Sequence, residues 1–227
     1  MTKIQTAGAL ILVFLASLSF ARGNSVGVTF PKLKHASTFN LGPGCRFNTG
    51  LPDGARTGAG FDPAESRGSG GMLIEKLPHY IGAWELGFNC YSASDHRIYK
   101  AATRFDAGRD EWVKDFRTFD QALAQAPDDA YRSSIQATIA TTKIFDIKTI
   151  NAHGWAMTGD DLIGDEEFRT RGIIFCIFYK EKVLCGNSTT GYLEQIKRRR
   201  KADYTPNALE ILRSIEFIED APLPTVR

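Results

Sequence analysis

The segment from Phe175 to Cys185 constrains the fold more than any other part of this chain. An apolar run, a polar middle and a second apolar run form the pattern of a β-hairpin. If Lys180 and Glu181 form a two-residue loop, Cys176 faces Cys185 at a Cα separation of about 4.5–5.5 Å, which a disulfide accepts. We therefore predict a disulfide-closed hairpin. A four-residue loop with the same pairing is the alternative, because Lys-Glu is not a preferred turn pair.

The first 21 residues predict the compartment. A basic start precedes an uncharged, mostly apolar run from Ala7 to Phe20, and small residues at Ser19 and Ala21 suit cleavage after Ala21. A retained membrane helix is the alternative, although the run falls short of the roughly 20 residues that a span needs. No cysteine comes directly after the run, so no lipoprotein anchor is expected. We predict a signal peptide over 1–21 and a periplasmic protein without a stable membrane anchor after cleavage, with secretion as the alternative.

The cysteines predict two disulfides. All four lie after the predicted leader, and an even number in an exported chain is typical of a disulfide framework. Pairing Cys176 with Cys185 leaves Cys45 and Cys90 for the second disulfide, which closes a long loop. Reduced thiols or a metal site are the alternative, but there is no CxxC and the spacings fit no zinc pattern. No metal or other cofactor is predicted.

The remaining sequence predicts an α+β fold, in which one or two helices cover an antiparallel β-sheet. Residues 22–71 form a segment rich in Gly and Pro, which predicts irregular structure made of turns and extended pieces. Residues 26–30 and 45–47 could form short strands within it. We expect a single α+β domain over 72–219 and a flexible tail over 220–227.

Hydrophobic spacing predicts the individual elements. A stripe formed by Trp112, Phe116, Phe119 and Leu123 predicts a helix over about 109–125. A second helix is expected near the C-terminus, with Thr205 as its N-cap and Pro206 in its first turn. Alternation and β-branched content predict strands over 84–90, 97–104, 131–147, 150–157, 171–179 and 183–186, and a short segment over 216–218.

Two charged segments are candidate contact surfaces on an otherwise weakly charged chain. The formal net charge is +2, so bulk charge does not argue for nucleic acid as a partner. Charged loops on a rigid scaffold often contact partners, although a solvated loop and a solvated basic turn are the alternatives. If the segments lie on different faces, the molecule is polarised. The predicted partner-binding residues are Asp160, Asp161, Asp165, Glu166 and Glu167 in the acidic loop and Lys197, Arg198, Arg199 and Arg200 in the basic run.

No sequence motif predicts an enzyme. The chain has no HxxxH or HExxH pair of a metal hydrolase and no GxSxG nucleophile elbow. Residues 92–96 place Ser, Asp and His close together, but catalytic triads are assembled in space and this string is typical of a polar turn. A hydrolase that uses Ser92, His96 or His153 is therefore the last of three functional hypotheses.

Three segments, residues 164–176, 182–186 and 205–217, together resemble the periplasmic immunity proteins of bacterial type VI secretion effector pairs. The resemblance covers the C-terminal quarter to third of the chain. It implies an exported binding protein that neutralises a periplasm-acting antibacterial toxin by direct binding, with a cognate toxin as partner and no catalytic residues. The alternative is a periplasmic accessory or small-ligand- or lipid-binding module without catalysis. The oligomeric state is left open.

Overall fold

The structure is a computed structural model that describes residues 30–65, 67–94 and 102–220. Within them no helix is long and apolar enough to cross a membrane. The strands are β1 (Leu33–Asn40), β2 (Arg46–Pro52), β3 (Arg56–Asp62), β4 (Arg67–Ile74), β5 (Trp84–Ser92), β6 (Thr103–Asp106), β7 (Glu111–Lys114), β8 (Lys143–Lys148), β9 (His153–Asp160), β10 (Thr170–Tyr179), β11 (Lys182–Tyr192) and β12 (Glu216–Ile218). The α-helices are α1 (Arg117–Ala124), α2 (Asp129–Thr141), α3 (Leu193–Arg198) and α4 (Thr205–Arg213).

A seven-stranded sheet forms the centre of the molecule. Its strand order is β3-β4-β5-β11-β10-β9-β8, and every neighbouring pair is antiparallel. A smaller antiparallel sheet has the order β1-β2-β12, and β6 pairs with β7 in a separate hairpin. The prediction of a mainly antiparallel sheet accompanied by helices is confirmed.

The face of the large sheet that packs against the small sheet and α4 is called the inner face. Alternate residues of each strand point to one face of a sheet, and on the inner face these are large and apolar. Phe47 of the small sheet is fully buried there, stacks on Phe39 and meets Phe88 of β5 at a ring distance of 5.4 Å. Leu212 and Ile211 of α4 complete this core.

The opposite face of the large sheet, called the outer face, is covered only in part. Its buried apolar cluster contains Trp155, Val183 and the Cys176–Cys185 pair. Trp112 of β7 stacks on Phe178 at a ring distance of 5.1 Å, so the β6–β7 hairpin covers this cluster from outside. The cover is smaller than the one on the inner face.

Both predicted disulfides are confirmed. The β10–β11 register pairs Tyr179 with Lys182, which leaves Lys180 and Glu181 as the two-residue loop, and Lys180 has a φ of 51°. Cys176 and Cys185 lie directly opposite each other with Cα atoms 4.1 Å apart. The other bond joins Cys45 to Cys90, with Cα atoms 6.3 Å apart, and thereby connects the chain just before β2 to strand β5.

The C-terminal elements also match their predictions, with one correction. Helix α4 and strand β12 lie where the sequence places them. Thr205, however, is the first helical residue rather than the N-cap, and Tyr204 holds the cap position without a side-chain hydrogen bond. Asp203 takes over the capping role, because its carboxylate accepts a hydrogen bond of 3.0 Å from the Thr205 N–H.

Two predictions in the middle of the chain are wrong. The expected helix over 109–125 is divided into strand β7 and helix α1, so Trp112 lies on a strand. The expected strand over 131–147 is helix α2 followed by strand β8. Asp128 explains the second difference, because its side chain accepts a hydrogen bond of 2.7 Å from the Tyr131 N–H and starts a helix despite the β-branched residues that follow.

The prediction of irregular structure over 22–71 is also wrong for the described residues from 30 onward. This part contains β1, β2, β3 and most of β4. Glycine allows close packing here, since a Cβ atom on Gly68 would lie 1.9 Å from the Leu41 carbonyl oxygen. The predicted leader, residues 26–29 and 97–101 of two predicted strands, and residues 221–227 of the predicted tail lie outside the described residues.

Candidate functional site

Three connections meet at one end of the seven-stranded sheet, which we call the loop end. They are residues 75–83 between β4 and β5, 161–169 between β9 and β10, and 193–204 between β11 and α4. The Leu193 N–H donates a hydrogen bond of 2.8 Å to the Arg169 carbonyl, which joins the second connection to the third. Both charged segments of the sequence therefore lie at the loop end.

The first connection is tied to the third by side chains. Tyr192, at the end of β11, donates from its hydroxyl to the Ile81 carbonyl at 3.3 Å. The Tyr204 hydroxyl donates to the Pro78 carbonyl. Arg199 of the predicted basic run lies 3.3 Å from a ring nitrogen of His79. The basic run thus lies between the acidic loop and residues 75–83.

The acidic and basic segments contact each other. The Lys197 ammonium donates a hydrogen bond of 2.6 Å to the Glu166 carboxylate, and this hydrogen bond lowers the pKa of Glu166 below its ordinary value. Arg198 pairs with Glu194 one turn earlier on α3. The charges partly neutralise one another, so the two segments do not polarise the molecule across opposite faces.

Asp160 anchors the acidic loop to the rest of the fold. Its two carboxylate oxygens accept hydrogen bonds of 2.6 and 2.9 Å from the Arg171 guanidinium, which also donates to Asp203 at 2.7 Å. All three side chains are mostly buried. The hydrogen bond to Asp160 raises the pKa of Arg171 further above its ordinary value. This network joins β9, β10 and the connection that leads into α4.

The loop has internal hydrogen bonds that fix its shape. The Arg169 side chain donates to the Gly164 carbonyl at 2.9 Å, and Asp161 accepts from the Ile163 N–H at 3.0 Å. A short 3-10 helix over Glu166–Phe168 follows. Asp161, Asp165 and Glu167 are exposed, as are Arg200 of the basic run and Lys201, which follows it.

Sequence analysis missed the two most exposed apolar side chains of the loop. Ile163 is 78% exposed and Phe168 is 61% exposed, and both lie among the loop's acidic residues. Burying such side chains against a partner is favourable, and large anchors at the centre of an interface carry most of its binding energy. The signal in the sequence is the presence of large apolar residues in a loop that is rich in Asp and Glu.

Of the residues of the hydrolase hypothesis, Ser92 and His153 are described, and they do not lie together. His153 Nε2 lies 2.6 Å from Asp146 Oδ1, and that oxygen also accepts from the Trp112 N–H at 2.8 Å. Ser92 lies on β5, three strand spacings from β9, which amounts to about 14 Å. Its hydroxyl instead contacts Ser94 at 2.8 Å. His96 lies outside the described residues.

The grooves on the described surface are shallow and open. One groove, of about 460 Å³, lies on the β3–β4–β5 part of the sheet, where Arg67, Ser69 and Asn89 contribute polar groups. A second, of about 290 Å³, lies over the Cys176–Cys185 pair. Within the described ranges, no group of three or more His, Cys, Asp or Glu side chains is placed to hold a metal ion.

Comparisons with known proteins give no match: no family model, no curated protein and no solved structure is significantly similar to this chain.

Proposed function

We propose that this chain is an exported binding protein that neutralises a periplasm-acting protein toxin by direct contact, and that residues 161–169 form the centre of its binding surface. The observation that carries the proposal is the combination of Ile163 and Phe168, both exposed, with a rim of carboxylates on an anchored loop. The resemblance of the C-terminal segments to immunity proteins supports the same conclusion. The protein acts by occupying a surface of the toxin, with no chemistry of its own.

The composition of the loop defines the surface that it would fit. Ile163 and Phe168 supply apolar area to be buried, and Asp161, Asp165 and Glu167 supply negative charge around it. Such charges accelerate association with a positively charged partner and make the rate depend on salt. The matching toxin surface is an apolar depression rimmed by Lys and Arg.

The disulfides support the proposed compartment. Cys45–Cys90 and Cys176–Cys185 indicate that the protein folds under oxidising conditions, as exported proteins do. A binding protein that must stay folded outside the cytoplasm benefits from such bonds. We place its site of action in the periplasm, where a toxin that acts on the cell envelope would meet it.

Capture from its own producer tests the proposal. The exported, oxidised protein is immobilised, exposed to a lysate of producing cells, and its bound partner is identified by mass spectrometry. The captured protein must kill cells when directed to the periplasm, and co-production of this chain must prevent killing. Capture of envelope machinery alone, or toxicity that this chain does not relieve, would contradict the proposal and favour an accessory or ligand-binding role.

Binding measurements with that toxin then locate the surface. Ile163→Ala and Phe168→Ala should each weaken binding by about tenfold or more, because an anchor residue is lost. Ile150→Ala is the matched control, since Ile150 is 66% exposed but lies between β8 and β9 at the opposite end of the sheet. Equal effects of all three substitutions would remove the loop from the proposal.

The charge contribution is tested separately. Replacing Asp161, Asp165 and Glu167 with the corresponding amides should slow association and flatten its dependence on salt, with little change in dissociation. Asp160 is left unchanged, because its carboxylate holds Arg171 and its loss would disturb the fold. An association rate that does not change would show that the acidic residues are only solvated.

A further inference from the structure

The two edge strands of the seven-stranded sheet are protected unequally. Strand β8 is covered by the β6–β7 hairpin: the Trp112 N–H donates to Asp146, and Lys148 pairs with Asp110 at 2.9 Å. Strand β3 forms the other edge, and within the described ranges its only paired neighbour in the sheet is β4. An exposed edge offers free N–H and C=O groups to another strand.

Strand β3 lacks the usual protection of an edge strand. All seven of its residues are exposed, and it contains neither lysine nor proline. Its register with β4 is uninterrupted from Arg56 to Asp62, so no bulge bends the edge away. A Cβ atom on Gly58 or Gly60 would meet nothing within 4 Å, so packing within the chain does not explain these glycines. Because Cβ atoms point out of the plane of a sheet, these glycines leave the outer face flat beside the edge.

The sequence of β3 is complementary to itself when it is reversed. In an antiparallel pair of two copies centred on Ala59, Arg56 of one copy lies opposite Asp62 of the other, and this charge pair occurs twice. Both residues lie on the outer face: Thr57 pairs with Met72 of the inner core, so Arg56 points the opposite way, and Asp62 lies an even number of positions from Arg56. Opposite charges placed directly across a pair of strands stabilise it. Arg56 is largely exposed and forms an ion pair with Glu75 at 2.9 Å.

The residues between Arg56 and Asp62 also suit this pairing. Gly58 lies opposite Gly60 twice, which places no side chain between the outer surfaces of the two copies. Thr57 lies opposite Phe61, a β-branched residue beside an aromatic ring, which is a favourable cross-strand pair. The register therefore has complementary charges at its ends and no steric conflict at its centre.

We propose that β3 pairs antiparallel with β3 of a second copy of this chain, about a two-fold axis at Ala59, to form a continuous fourteen-stranded sheet. The smallest standard interfaces bury about 1,200 Å² of accessible surface, and a pair of seven-residue strands buries less than that. The dimer is consequently weak and forms at high local concentration. It needs no toxin, so it stands or falls independently of the proposed function.

Sedimentation equilibrium of the exported, oxidised protein at low salt tests the dimer, over about 1 µM to 1 mM, the range of weak affinities. We expect the average mass to rise toward twice that of the monomer. Arg56→Glu and Asp62→Lys should each weaken the dimer by about tenfold, because each places like charges opposite one another. The double variant restores the opposite-charge pairs with reversed polarity, and should return the affinity to within about threefold of the original.

Arg109→Glu is the matched control, because Arg109 is similarly exposed and lies beside Glu111 as Arg56 lies beside Glu75. It should leave the dimer unchanged. A protein that is monomeric throughout, a dimer insensitive to both single variants, or a folded double variant without recovery would overturn the proposal.

Hydrogen exchange on the unmodified protein keeps the test decisive if Asp62→Lys disturbs the turn that Asp62 stabilises through the Ala64 N–H. Amides of residues 57–61 should exchange more slowly as the protein concentration rises. Exchange that does not depend on concentration would overturn the proposal. Protection that appears only when the toxin is added would overturn it as well, and would assign this edge to the toxin.

Discussion

The inner and outer faces of the large sheet are covered by very different layers. The inner face meets a second sheet and helix α4, and its largest side chains, such as Phe47 and Phe88, have no significant exposure. The outer face has a hairpin and one ring stack over β9 and β10, while Gly58, Gly60 and their neighbours on β3 and β4 are bare. The inner face therefore holds the fold together, and the outer face and its edges remain available for contacts.

The largest contrast between the faces should come from aromatic truncation. Phe47→Ala should lower the free energy of unfolding by about 3–5 kcal/mol, because it empties a site enclosed by the rings of Phe39, Phe88 and Phe217. Trp112→Ala on the outer face should cost less than half as much, since Trp112 is only partly buried. Urea denaturation measures both. Equal losses would show that the outer cluster is as important to stability as the inner core.

Removing each disulfide sharpens the same comparison. Replacing Cys45 and Cys90 with Ala should cost about 4 kcal/mol, because the bond closes a 45-residue separation in the unfolded chain. Replacing Cys176 and Cys185 should cost about 2.5 kcal/mol, because their separation is only 9 residues. Thermal and urea unfolding of both double variants, compared with the intact protein, test this order. The reverse order would contradict the loop-closure explanation.

Ion pairs on the two faces should also differ. Asp160→Asn should lower stability by about 1–2 kcal/mol, because the mostly buried Arg171 loses one of its charged partners. Asp110→Asn removes the exposed pair with Lys148 on the outer side and should have no measurable effect. Both variants are compared by urea denaturation in low salt. If Asp160→Asn leaves the free energy of unfolding unchanged, Asp203 alone is sufficient to hold Arg171.

A last effect is confined to alkaline pH. Burial raises the pKa of Tyr80 and that of Tyr204 to about 12 each. The folded state therefore holds these protons more tightly, and the free energy of unfolding should fall as the pH rises from the ordinary tyrosine pKa of about 10 toward 12.

Replacing both tyrosines with Phe should reduce the slope of stability against pH by up to the contribution of two protons. The same replacement removes the hydrogen bonds to Thr189 and Pro78, which lowers stability at neutral pH. Tyr131→Phe, at a half-exposed position on α2, is the control. Unfolding by urea at several pH values measures the slope. An unchanged slope in the double variant would contradict the assignment.

Elements with a local cause could be predicted from sequence. The β10–β11 hairpin follows from two apolar runs around Lys180 and Glu181, and the pairing of Cys176 with Cys185 follows from its register. Helix α4 follows from Pro206 in its first turn and from its apolar stripe. In each case the residues that decide the structure lie within a few positions of one another.

Elements with a distant cause could not be predicted in this way. Strand β3 contains two glycines and no apolar alternation, and it exists because β4 pairs with it. Helix α2 has the alternation of a strand around Ile135, and only the capping bond of Asp128 indicates its helical start. In this segment the capping residue, rather than the hydrophobic period, determines the secondary structure.

The candidate site shows the same limit. The charged residues at 160–167 and 197–200 are visible in the sequence, but the contact between Glu166 and Lys197 depends on the path of three connections at the loop end. Asp160 looks equivalent to Asp161 in the sequence, yet one is held by Arg171 and the other is exposed. Tertiary placement, rather than charge, separates anchoring residues from those free to contact a partner.

Pairing between β2 and β12 has a consequence for the timing of folding. Phe47 and Phe217 face each other across that pair, 170 residues apart in the chain. Synthesis at about 5–20 residues per second places roughly 10–30 s between the appearance of the two strands. During that interval the inner face has no complete cover, whereas Cys90 already follows Cys45. Under oxidising conditions the Cys45–Cys90 disulfide can therefore hold the first strands near β5 before β12 completes the small sheet.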